Sequence, residues 1–175
     1  MPFAYRIYDQ YRPHFITCTI HQWVDVFSRK QYADIFLDSI RYCQAHKGLK
    51  VYGWVIMTNH VHLIIGSHTH SLSDIIRDFK KFTASQIVKA IAANDKESRR
   101  KWLLWLFKKD NSVWFWEEGY HGEVIESQPF FESKLQYIHQ NPVRAGIVVK
   151  AEEYLYSSAC DYYGNRKSLL VLSDM

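Results

Sequence analysis

The chain has 175 residues, enough for one domain with a substantial core and too few for two full-sized ones. Hydrophobic residues at 47% and charged residues at 23% exclude a disordered tail and a coiled coil. The formal charge is only +4, yet residues 77–109 hold ten Lys or Arg against three Asp or Glu, a concentrated basic segment that points to a polyanionic partner.

In chain order, residues 1–12 hold no apolar core of signal-peptide length, and no window approaches the ~18 apolar residues of a membrane span. The expectation is a cytoplasmic protein with no membrane partner. HFITCTIH, His14 to His21, alternates like a half-buried first strand. Tyr32, Ile35, Phe36, Ile40 and Cys43 recur at helical spacing between Arg29 and Lys47, with Gly48 as the stop. Lys50 to Met57 and Val61 to Ile65 read as a hairpin turning at Thr58 and Asn59. Ser71 or Ser73 opens a long helix that ends near Ala93. Beyond it come a charged stretch with Trp102 and Trp105, for which core packing is favoured over base stacking, and a short strand from Val113 to Trp116. A last helix starts after Ser127, with Pro129 just inside, and stops at Asn141 before Pro142. The tail from Tyr162 is expected to be mobile. Cys18, Cys43 and Cys160 are an odd, widely spaced set and read as reduced packing residues. No linker or repeat divides residues 1–175, so a single domain is expected.

Two features carry chemistry. His60 and His62 flank Val61 on a strand, and a period of two puts both imidazoles on one face, where they could hold a divalent ion or simply pack. A second pair, His68 and His70, falls in a polar loop with no rigid presentation. On the last helix the apolar stripe is Phe131, Leu135 and Ile138, whereas Tyr137 shares an adjacent face with Phe130, Lys134 and Asn141. A phenol there is either a core residue with a wet hydroxyl or a nucleophile that needs a polarised electrophile.

YGWVIMTNHVHLII, FWEEGYHGEVI, YIHQNPVRAGIV and YLYSS follow one another between Phe15 and Ser158. In this order and spacing they resemble the single-tyrosine HUH transposases, and among these the REP-associated tyrosine transposases. The resemblance implies an α+β, ferredoxin-like sandwich: an antiparallel sheet with helices on one face and a C-terminal catalytic helix. It implies that His60 and His62 bind Mg²⁺ or Mn²⁺, that Asn141 completes the metal site with Gln140 as the alternative, and that Tyr137 is the nucleophile. Relatives commonly carry Trp-Gln where this chain has Trp116-Glu117, which leaves the role of Glu117 open. The implied activity is cleavage and rejoining of single-stranded, hairpin-flanked DNA through a 5′-phosphotyrosine. Arg77, Lys80, Lys81, Arg99, Arg100, Lys101, Lys108, Lys109, Lys134 and Arg144 are candidate phosphate contacts, and the basic segment is expected to line the route of the strand to the site. A hairpin-binding module without turnover and a metal-dependent hydrolase using water are the rival readings. Monomer and homodimer are both left open.

Overall fold

The computed structural model describes residues 6–175. Four strands form one antiparallel sheet: β1 (His14–Thr19), β2 (Leu49–Ile56), β3 (His60–Ser67) and β6 (His121–Val124), in the order β2-β3-β1-β6. Between β1 and β2 lies α1 (Lys30–Lys47), and between β3 and β6 lies α2 (Leu72–Ala93). This βαββαβ order is the ferredoxin-like α+β arrangement expected from the sequence. Gly48, at φ 67°, ends α1 in the left-handed region that favours glycine.

The period of two in the strands sorts side chains into two cores. Val61, Leu63 and Ile65 of β3 join Ile16 and Cys18 of β1 and pack under α1 and α2 with Phe36, Ile40, Ile75 and Phe79. Ile64, with Phe15 and Val55, faces the other way against α4 (Gln128–Arg144), whose Phe131, Leu135 and Ile138 are buried. Each such side chain contributes about 1.5–3 kcal/mol on burial, which favours docking of the helix on the sheet. Helices therefore cover both faces, and the odd and even residues of β3 serve different layers. Cys18, Cys43 and Cys160 are free and buried, as the sequence led us to expect.

Several expectations are corrected. Pro142 does not stop α4, which runs on to Arg144. A proline near a helix end removes one backbone donor and fixes φ, and both are tolerated where only one turn remains. Val113 to Trp116 is not one strand: β4 (Lys108–Lys109) and β5 (Ser112–Val113) form a two-residue ladder following α3 (Arg100–Phe107), while Trp116 bridges Ile20. The polar fourth strand of the main sheet, β6, lacks the β-branched run that marks the others. Trp102 and Trp105 are not core residues but 47% and 72% exposed. The tail is not loose. After α5 (Ala159–Tyr163), Leu170 is buried, Arg41 and Gln44 donate to the carbonyls of Leu169 and Val171, and Ser173 N–H donates to Val51 O at 2.8 Å.

Candidate active site

β3 presents His60 and His62 on the α4 side of the sheet, with ring centroids 4.7 Å apart. Cross-strand pairing sets Thr17 opposite His62, and the threonine hydroxyl meets His62 Nδ1 at 2.7 Å. Asn59 Oδ1 lies 2.7 Å from His60 Nδ1. Each imidazole thus engages Nδ1 with a neighbour, which orients the ring and leaves Nε2 for a ligand. Burial, followed by the charges of His60, Arg144 and Lys134, pushes His62 down to about 3, and burial also lowers His60. Both rings are held in the neutral form that binds metal.

α4 brings one face to this pair. Tyr137 stands edge-on to His62 at 5.4 Å and to Phe15 at 6.0 Å, and it keeps 45% of its surface exposed. One turn earlier, Lys134 pairs with Glu123 at 2.9 Å and covers the Phe15 ring. One turn later, Asn141 Nδ2 donates to Tyr137 O at 3.2 Å, leaving its Oδ1 as a candidate ligand. Arg144 lies over the Tyr137 ring at 4.8 Å. Gln140 instead lines a groove with Glu132, Gln136 and Val143, on a different side of the helix. Among the described residues no cluster of three His, Cys, Asp or Glu could share an ion. The resemblance offers an amide as the third ligand, and of the two amides it offers Asn141 shares the face of Tyr137 while Gln140 does not.

Part of the basic segment is committed within the chain. Arg77 pairs with Asp74 and Asp78. Lys80 donates to the carbonyls of Glu117 and Gly119. Arg100 pairs with Asp95 at 2.5 Å. Arg99 and Arg29 converge on Glu97, whose side chain is 0% exposed. Burial works to raise the Glu97 carboxyl, but hydrogen bonds from Arg99 and Arg29 outweigh it and hold it below the usual range. Lys81, Lys101 and Lys108 form no ion pair among the described residues, and Lys109 lies over Trp114 at 5.5 Å. His68 is exposed, and His70 Nδ1 sits 3.1 Å from Lys47 O.

Sequence reasoning missed the turn at His21–Trp23 and the clamp that holds it. Glu117 Oε1 accepts Gln22 N–H at 2.7 Å and lies 3.1 Å from His21 Nδ1. The Trp-Glu dipeptide drew attention to Glu117, but only the fold shows what it grips.

A ferredoxin-like domain in which a two-histidine strand faces an exposed tyrosine on the packed helix α4 is the class that this geometry defines. A family model described as "Transposase IS200 like" matches residues 7–141, and the chain belongs to that family. It is similar to the structure of a REP-associated tyrosine transposase bound to a REP hairpin, at 17% identity and TM-score 0.69, over 99% of this chain and 93% of that one. A putative transposase from Deinococcus radiodurans R1 is similar at 18% identity and TM-score 0.47, over 74% of this chain and 91% of the other. No curated protein matches.

Proposed function

We propose that the chain cleaves and rejoins single-stranded DNA beside a hairpin, with Tyr137 as nucleophile. The observation that carries this reading is the ring of Tyr137 set edge-on to His62, a neutral and oriented imidazole, with Arg144 on the same ring. His60, His62 and Asn141 would hold Mg²⁺ or Mn²⁺. When bound, the ion supplies charge stabilisation at the scissile phosphate. Tyr137 Oη attacks phosphorus, an O–P bond forms, and the bond to the 3′-oxygen breaks. The phenol loses a proton and the departing 3′-hydroxyl gains one. Because the phosphotyrosine remains a phosphodiester, a DNA 3′-hydroxyl can reverse the step without ATP. The hairpin held by the structural relative supports hairpin-flanked DNA as the partner.

The test is to incubate the protein with Mn²⁺ and labelled hairpin DNA carrying single-stranded flanks, then separate the products on a denaturing gel. A covalent band that Tyr137→Phe abolishes is the expected result. An adduct that survives in Tyr137→Phe removes the nucleophile assignment. Cleavage without an adduct favours water as nucleophile, and binding without cleavage favours a module that no longer turns over.

A further inference from the structure

The turn after β1 is built in a costly way. Gln22 and Trp23 both have positive φ, 53° and 57°, the left-handed region that a bulky aromatic residue rarely enters, at roughly 1–3 kcal/mol per residue. Burial of the indole does not offset this, because Trp23 is 65% exposed. The surrounding bonds hold the turn open and do not tuck the ring in. Trp23 N–H donates to Ile20 O at 2.9 Å, Asn59 Nδ2 to Trp23 O at 3.3 Å, His21 N–H to Phe115 O at 2.8 Å and Gln22 N–H to Glu117 Oε1 at 2.7 Å. Glu117 lies in a loop whose carbonyls Lys80 binds. The fold thus fixes an exposed indole edge-on to His60, at 6.5 Å between centroids. At the other end of the turn His21 meets the half-exposed Trp114, on which Lys109 sits.

We propose that Trp23 is a stacking platform for an unpaired nucleobase next to the His60–His62 pair, with Trp114 and Lys109 continuing the ledge along the strand. The inference rests on the single-stranded DNA reading above and names a contact that this reading does not require. An exposed indole offers every base a π-face, and a lysine over the neighbouring ring suits the phosphates between bases, so recognition is tolerant of sequence. Glu117 acts as a positioning residue: its oxygen shapes the turn that carries Trp23. A glutamine amide oxygen can accept the same Gln22 N–H, whereas alanine cannot.

The test measures binding to a labelled single-stranded 20-mer of mixed sequence and to a 20-mer with the same phosphates but abasic at every position, both with EDTA so that neither is cut. Wild type is expected to prefer the base-containing strand about tenfold, in line with aromatic stacking energies. Trp23→Ala should erase most of that preference without changing the salt dependence, which reports phosphate contacts, and Trp23→Phe should keep most of it. Glu117→Ala should weaken the preference and Glu117→Gln should retain it. If Trp23→Ala keeps the preference, the platform is wrong while the strand-transfer reading stands. If it loses affinity equally for both strands, the effect is on folding and the platform is again wrong. If wild type binds neither strand, both readings fall.

Discussion

Arg144 lies over the Tyr137 ring at 4.8 Å and also donates to the carbonyl of Tyr137 at 2.9 Å, so one side chain fixes both the ring and the backbone of the residue one face of α4 presents to His62. That contact exists because the helix continues through Pro142. Arg144→Gln is expected to reduce adduct formation by about tenfold through lost cation–π and positioning contacts, each on the order of 1 kcal/mol. Single-turnover gel assays against an unchanged melting temperature would check it. A wild-type rate in the variant would assign Arg144 to DNA binding or to the helix end alone.

Gly53 lets α4 come close to the sheet. A Cβ at this position would sit 2.6 Å from Leu135 Cδ1 and 3.3 Å from Ile138 Cδ1. Gly53→Ala should destabilise by about 1–3 kcal/mol, the usual penalty for overpacking, and should depress cleavage further because the displaced helix carries Tyr137. Urea unfolding together with the adduct assay measures both effects.

Stability should fall in mild acid. His139 is fully buried, with Nε2 bonded to Ser158 Oγ at 2.7 Å and no hydrogen-bond partner for Nδ1 among the described residues, and burial pushes it down to about 4. His62 lies at about 3. An unfolded histidine titrates near ~6.5, so between these values the unfolded chain binds more protons than the native one. The stabilisation is therefore complete above pH ~6.5 and is lost as pH falls toward 4 and then 3. At pH 5 in EDTA the loss should be on the order of 2 kcal/mol for each histidine. In His139→Gln the slope of unfolding free energy against pH should be shallower; an unchanged slope would place the acid sensitivity elsewhere.

Metal should stabilise the wild-type fold through the histidine pair. Adding Mn²⁺ at one hundred times its dissociation constant is expected to raise the unfolding free energy by about 2.7 kcal/mol, and EDTA should reverse it. His60→Ala and His62→Ala should lose this response, and Gln140→Ala should keep it. If Asn141→Ala retains the full response, only the histidines bind from the protein side.

Arg99 tests the split between structural and DNA-facing charge. Arg99→Ala removes one of the two guanidinium groups on a buried carboxylate that Arg29 still pairs at 2.6 Å, so it should cost about 1.5–3 kcal/mol of stability, whereas Lys101→Ala should leave stability within ~0.5 kcal/mol and alter only DNA affinity. Thermal melts and salt-dependent binding separate the two.

The elements legible in the sequence were those whose pattern is local. The alternation around His62, the stripe Phe131, Leu135 and Ile138, and the cap at Ser127, whose Oγ accepts Phe130 N–H, all came through. What was hidden depends on pairing between distant segments. β6 exists because Glu123 and Val124 sit opposite Phe15 and His14, not because of its own composition. The positions of Trp102, Trp105 and Trp23 were equally opaque, since an exposed indole and a buried one have the same letter. Charge in residues 77–109 was visible, but its division into ion pairs such as Arg100 with Asp95 is set by the turn between α2 and α3.

The chain's end has a further consequence for association. β2 is an outer strand of the sheet, and its free side is occupied: Ile56 N–H donates to Tyr156 O, Ser158 N–H to Trp54 O, and Ser173 N–H to Val51 O. Residues 156–173 therefore act as a bumper along that margin. Two copies of the chain cannot merge their sheets across β2, and the long apolar strand LKVYGWVI is shielded from the edge-to-edge joining that leads to aggregates.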